Sequence, residues 1–237
     1  MTDLPLIRWD APGPYEVAFT TRIGGVSEGA FASLNLGRRL GDDPGRVDEN
    51  RRRLCAELGL DPRRLSMNYQ VHGATANRAV AGRRGAKGDA LWSEEPGVPM
   101  LALAADCIPI ALVRANGGRP AAAVAHAGRI GLLAGIVDAA VGALGGRVAA
   151  AVGPAIGPCC YEVGAEIAAA FRERFGPHVV RDRNVDLAGA AERALRGAGV
   201  ADVERVDLCT ACHPELFFSY RRDGTPRGGQ GVVAVVA

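Results

Sequence analysis

Four histidines occur in the chain: His72, His126, His178 and His213. His72 and His126 stand where strand-like runs end, each with a glycine one or two residues on, in QVHG and VAHAG. Between them Cys107 sits at a polar step in an otherwise apolar stretch, ALAADCIPI. One thiolate and two imidazoles form a donor set that suits zinc, a cation that favours nitrogen and sulfur ligands. Positions 72 and 107 are 35 residues apart and positions 107 and 126 are 19 apart, too far for a compact zinc finger. Three ligands spread over a fold match the reactive pattern, in which water or substrate takes the fourth position. Spacing alone also allows a plainer and commoner arrangement, with both histidines satisfied by hydrogen bonds and Cys107 acting as a small buried hydrophobe.

The remaining sulfur chemistry is less specific. Cys209-Thr210-Ala211-Cys212-His213 has the form of a haem-attachment signature, a redox pair or half of a zinc site. Haem attachment normally requires export, and no second C-x-x-C is present to complete an all-cysteine site, so these are expected to be buried thiols. Adjacent Cys159 and Cys160 cannot easily bond to one another, and one of them is expected to pack into the core. With Cys55 and Cys107 the chain has six cysteines in 237 residues, long enough to bury its own core without a disulfide framework. Arg22 in TTRIGGVS and the run Arg221 to Gly224 place guanidinium groups beside glycine-containing turns, and Arg22 is the candidate for holding phosphate. The alternative for both is a solvated basic face. The segment RGGQG is no dinucleotide or phosphate-loop fingerprint.

The elements that must carry these groups are mixed. Lys plus Arg is 28 and Asp plus Glu is 26, a net charge of +2 that does not suggest nucleic acid or an anionic membrane as partner. Hydrophobic residues at 48% and charged residues at 23% are ordinary for a globular chain. The longest apolar stretch, 98–113, is broken by Asp106 and Pro109 and is shorter than the roughly 20 residues that span a bilayer. The first residues have no secretory pattern, so a cytoplasmic protein is expected. Strands are expected over 15–20, 66–71, 100–105, 108–113, 121–125, 147–152, 203–208 and 231–236. Helices are expected from Asp42-Asp43-Pro44 through 58, and over 132–144, 163–174 and 185–197. Without strict strand–helix alternation, this order predicts one α+β (mixed α/β) domain rather than a doubly wound nucleotide-binding fold.

Six motifs then coincide in order: TTRIGGVSEGAFASLNLG, QVHG, GDALWSEEPGVPMLALAADCIPI, VAHAG, AVGPAIGPCCYEVG and CTACHPELFFSYRRDG. Together they strongly resemble the YfiH/laccase-domain family, over residues 15–237 with the motifs running from Thr20 to Gln230. The resemblance implies a single four-layer α/β/β/α domain with mixed sheets. It also implies a metal held by His72, Cys107 and His126. The activities it implies are phosphorolysis of adenosine, inosine, guanosine and methylthioadenosine to base and ribose 1-phosphate, with deamination of adenosine, and zinc as the cofactor. Small nucleosides and phosphate are then the partners. Older descriptions of the family imply a copper-dependent polyphenol oxidase instead. The chain departs from the family where HAGWRG becomes HAG followed by Arg129 and Ile130, and where GRQ becomes Gly228-Gly229-Gln230. Arg129 and Arg227 lie one or two residues from the lost guanidinium positions, an offset that generally points a side chain elsewhere. If both guanidinium groups are lost, a metal-stabilised binding protein without catalysis becomes the third reading.

Overall fold

The computed structural model describes residues 4–116 and 118–237. Its strands are β1 (Ile7–Arg8), β2 (Tyr15–Phe19), β3 (Met67–Tyr69), β4 (Ala76–Arg78), β5 (Arg84–Lys87), β6 (Ala90–Ser93), β7 (Met100–Ala104), β8 (Ile108–Asn116), β9 (Ala122–Ala127), β10 (Arg147–Val152), β11 (Val180–Arg181), β12 (Asn184–Val185), β13 (Asp202–Arg205) and β14 (Gln230–Val236). The helices are α1 (Pro44–Glu57), α2 (Arg129–Ala134), α3 (Ile136–Leu144), α4 (Ala165–Phe175), α5 (Leu187–Gly197) and α6 (Tyr220–Asp223). No helix among the described residues is long and apolar enough to cross a membrane.

Two sheets face each other. One has the strand order β1-β2-β14-β7, the other β13-β10-β8-β9-β6-β4. The larger sheet is mixed: β10 runs parallel to β13 and β4 to β6, while β8 is antiparallel to both β9 and β10. Side chains alternate across each strand, and the core divides accordingly. On β8, Ala111 and Val113 meet Phe19, Met100 and Val232 of the opposite sheet. Ile108, Ile110 and Leu112 of the same strand turn the other way, into a cluster with Leu132, Ile136, Phe171 and Leu195 from the helices. On the outer face of the smaller sheet, Leu54 and Cys55 of α1 pack with Leu101 and Val233. The layers are thus helix, sheet, sheet and helices, as the family resemblance implied. A fully buried Ile, Leu or Phe contributes about 1.5–3 kcal/mol of transfer free energy, so the two inner clusters dominate stability.

Local chemistry explains the boundaries. Pro44 opens α1 with its φ preset, and the Asp43 carboxylate accepts from the Arg46 N–H at 2.9 Å as the cap. The expected helix over 132–144 is in fact two, because Gly135 turns left-handed at φ 88° and ends α2 while starting α3. The expected strand over 66–71 shortens to β3, and the one over 203–208 to β13, since the residues beyond them leave the sheet to build loops around the site. Several short strands, β1, β4, β5 and β6 among them, lie in stretches for which the sequence reading proposed no element.

A side chain at Gly135 must adopt the left-handed conformation that costs an L-residue about 1–2 kcal/mol. Gly135→Ala is therefore expected to lower unfolding free energy by about that amount in urea titration, and an unchanged midpoint would rule out the left-handed break between α2 and α3.

Candidate metal centre

Two of the three candidate ligands are set by one hairpin. β8 and β9 pair antiparallel with Pro109 opposite His126 and Ile108 opposite Ala127, which brings Cys107, just before β8, beside His126 near the end of β9. His72 arrives separately, on the loop after β3, in a left-handed conformation at φ 58°. That conformation is unusual for a non-glycine residue, and the contacts around it account for it.

The contacts centre on Asp89, a buried carboxylate just ahead of β6. It accepts the N–H groups of Val71 at 3.2 Å, His72 at 2.9 Å and Gly73 at 2.8 Å. Its Oδ1 also accepts from Nδ1 of His126 at 2.9 Å, and its main-chain carbonyl takes the His126 N–H at 2.7 Å. With Nδ1 donating to Asp89, Nε2 is the nitrogen of His126 left to ligate. A carboxylate behind a ligating imidazole fixes its tautomer and raises its basicity.

Cys107 is anchored from the other side. Asp106 before it is left-handed at φ 87°. Its carboxylate accepts from the Thr210 hydroxyl and from the Arg221 N–H, each at 2.6 Å. The three ligand atoms of His72, Cys107 and His126 all lie within 4.8 Å of one another. The Cys107 Sγ is 3.9 Å from Nε2 of His72, and the two imidazole rings meet edge to face at 79° with centroids 4.7 Å apart. Such separations can enclose one cation with bonds of about 2.0–2.3 Å. The donor chemistry and the carboxylate behind it both fit zinc.

Electrostatics prepare the same set. Burial pushes the Cys107 thiol up, but hydrogen bonds and charge from His126 and His72 outweigh it and draw the group down to about 6. Burial pushes His126 down, while Asp89 and Cys107 together raise it to about 9. Both shifts run toward the charged forms, a thiolate beside an imidazolium. A dication entering would displace the imidazolium proton, as metal binding generally does. Space is equally constrained: a Cβ at Gly128 would stand 2.9 Å from Cys107 Sγ and 3.0 Å from His72 Cδ2, so the glycine after His126 leaves room that no side chain could share.

A cavity of about 420 Å³ opens on these residues, bounded also by Arg38, Arg39, Tyr69, Gln70 and Arg227. Gln70 is fixed by a reciprocal pair of 2.8 Å hydrogen bonds with the backbone of Leu103. Tyr69 is partly exposed, with the Arg39 guanidinium 4.3 Å above its ring. The sequence candidate for phosphate, Arg22, is not on this wall. Its guanidinium is taken by the Ala32 and Pro214 carbonyls at 2.7 and 3.0 Å and lies over Phe218. Arg227 is on the wall, contrary to the expectation for its offset from Gly229. Its guanidinium sits 4.6 Å from the Tyr220 ring centre, and its buried Nε has no hydrogen-bond partner. Arg129 is exposed and Ile130 is 53% exposed, and neither lines the cavity.

Asp89 and Gly128 are the functional positions that the residue reading passed over. The Gly-Asp step before β6 and the glycine of VAHAG were their only signals. The cysteines outside the centre also differ from expectation. Cys159, Cys160, Cys209 and Cys212 gather in a second cluster; Cys160 packs against the core, as expected for one of the adjacent pair, whereas Cys212 is exposed and not the buried thiol expected.

Comparison with known proteins agrees with this architecture. The family model described as multi-copper polyphenol oxidoreductase laccase matches residues 16–237. The chain is similar to a purine nucleoside phosphorylase of Pseudomonas aeruginosa, at 41% identity over 90% of both chains. It is similar to the purine nucleoside phosphorylase YfiH of Escherichia coli at 36% identity, over 95% of this chain and 96% of that one. The crystal structure of YlmD from Geobacillus stearothermophilus superposes with a TM-score of 0.90 at 32% identity, covering 100% of this chain and 97% of the other.

Replacing Asp89 by asparagine keeps the shape but removes the charge behind His126. Asp89→Asn is expected to weaken zinc binding about 10–100-fold in a competitive chelator titration. Wild-type affinity in that variant would show that the carboxylate does not tune the centre.

Proposed function

Since the chain belongs to the multi-copper polyphenol oxidoreductase laccase family, we propose that it is a zinc-dependent purine nucleoside phosphorylase reacting at His72, Cys107 and His126. The observation that carries this reading is the meeting of two imidazoles, a thiol and the Arg227 guanidinium on one cavity. The relatives named purine nucleoside phosphorylase support the reaction class. Adenosine, inosine, guanosine and methylthioadenosine are the substrates, and adenosine deamination is a second reaction of the same pocket.

In phosphorolysis a phosphate oxygen forms a bond to C1′ of the ribose while the C1′–N9 bond breaks. The base leaves with the electron pair and must gain a proton. Arg227 holds the phosphate, because a guanidinium with an unpaired buried Nε is a ready donor to oxyanions and matches their geometry. Tyr69 supplies a ring face against which a purine stacks. Asp89 keeps His126 in the tautomer that presents Nε2. His72, Cys107 and His126 would hold zinc, which would supply electrophilic polarisation at the cavity wall.

Copper oxidation is the weaker reading, although an imidazole–thiolate set accepts copper as well. A multicopper centre needs many imidazoles. The chain has four histidines, and only two belong to a metal-competent cluster among the described residues. Arg227 on the wall also counters the reading of a binder without catalysis, which rested on the lost guanidinium groups.

Incubation with adenosine and phosphate is expected to yield adenine and ribose 1-phosphate, with inosine marking deamination. His72→Ala is expected to abolish turnover. Phosphate-independent release of adenine, or full activity in His72→Ala, would contradict the proposal. Arg227→Ala is expected to raise the KM for phosphate about tenfold or more, the size of a lost charge-assisted hydrogen bond. An unchanged KM would remove Arg227 from phosphate binding.

A further inference from the structure

The second sulfur cluster is built by topology rather than by local sequence. β10 and β13 run parallel, with Val152 opposite Arg205, so the chain leaves the sheet at two adjacent points on the same side. The pairing continues past the strands as a bridge between Ala155 and Cys209, and the Thr210 N–H donates to the Ala155 carbonyl at 3.0 Å. One segment then presents Cys159 and Cys160 and the other Cys209 and Cys212. The missing half of an all-cysteine site is thus an adjacent pair rather than another C-x-x-C.

The geometry around the four sulfurs is that of a shared centre. All four Sγ atoms lie within 4.8 Å of one another. Cys212 Sγ is 3.4 Å from Cys160 and 3.6 Å from Cys159, so it is committed to neither as a disulfide partner, whose sulfur would stand at about 2.05 Å. A tetrahedron of thiolates around zinc at about 2.3 Å has edges of about 3.8 Å, which these separations bracket. The Gly157 N–H donates to Cys209 Sγ at 3.2 Å, as main-chain amides do toward thiolates. A Cβ on Gly157 would stand 3.3 Å from Cys159 Sγ and 3.5 Å from Cys209 Sγ, so this glycine keeps the cradle open. The Cys209–Cys212 turn is closed by the Cys212 and His213 N–H groups, both donating to the Cys209 carbonyl at 3.2 Å.

Four thiolates on one dication leave a net charge of −2 that needs cations nearby. Two are present. Arg221 donates to the Cys160 carbonyl at 2.9 Å and to the Glu162 carbonyl at 3.1 Å. Arg222 donates to the Thr210 carbonyl at 2.8 Å, between the two ligands of the turn. Both guanidinium groups therefore brace the segments that carry the sulfurs.

We propose that Cys159, Cys160, Cys209 and Cys212 bind one zinc ion in a closed structural site, distinct from the centre at His72, Cys107 and His126. The site clamps the β10–α4 and β13–α6 connections together. Its effect reaches the other centre through Thr210 and Arg221, whose hydroxyl and main-chain N–H hold the Asp106 carboxylate next to Cys107. Cys159 and Cys212 are exposed, so the clamp sits at the surface and the metal can enter after folding. The assignment does not rest on the phosphorylase reading.

The test is metal content of the full chain purified under reducing conditions, measured by mass spectrometry per mole of protein. The double variant His72→Ala/His126→Ala is expected to retain one zinc, and adding Cys209→Ser and Cys212→Ser is expected to remove it. In the wild-type background, the two serine substitutions should lower zinc by one equivalent. Should the serine variants fail to fold, cobalt added to the metal-stripped His72→Ala/His126→Ala chain is expected to give the intense sulfur-to-cobalt charge transfer and visible bands of a tetrahedral four-thiolate site. No zinc in the histidine double variant, iron in its place, a disulfide among the four cysteines, or a cobalt spectrum without thiolate character would each overturn the proposal. None of these outcomes depends on turnover, so failure here is distinguishable from failure of the catalytic reading.

Discussion

The arrangement turns on one buried carboxylate. Asp89 accepts three consecutive main-chain N–H groups and the Nδ1–H of His126. Burial alone would push this acid up, but those bonds outweigh it and hold it below the usual carboxylate range. Were the side chain apolar, three donors in the Val71–Gly73 turn would be left without partners and His126 without an orienting base. Unpaired groups of this kind cost about 1–3 kcal/mol each, enough to open the loop. The left-handed backbone at His72 therefore persists because a single charge satisfies everything around it.

Much of this was legible in the residues. His72, Cys107 and His126 stood out because few residue types carry zinc chemistry and the chain has few histidines. The helix expected over 185–197 and the central strands were found close to their expected places, and the Asp-Pro step marked the start of α1. The features that did not show are non-local or small. Asp89 looks like any acid in a turn, because its role is defined by backbone groups sixteen to eighteen residues away. The four-cysteine cluster depends on β10 and β13 being parallel neighbours, which spacing does not encode. Arg22 and Arg227 both sit beside glycine-containing turns. Only three-dimensional packing shows that the first is spent on two carbonyls while the second faces the cavity.

The alanine residues of the larger sheet have a structural use. On β9, Ala122, Ala123, Ala125 and Ala127 are fully buried and point to both faces of the larger sheet. Small side chains there let the helices on one side and the second sheet on the other approach closely. The hairpin that carries Cys107 and His126 is consequently enclosed on both faces, while the cavity remains open at the strand ends.

That enclosure divides the centre into parts of unequal permanence. Cys107 and His126 are rooted in the β8–β9 hairpin, which lies at the centre of the larger sheet and is buried on both faces. His72 hangs on a surface turn tied down chiefly through one acid. Transient opening of that turn would withdraw one nitrogen and leave the other two donors in register, so any ion held by all three would lose the loop histidine first.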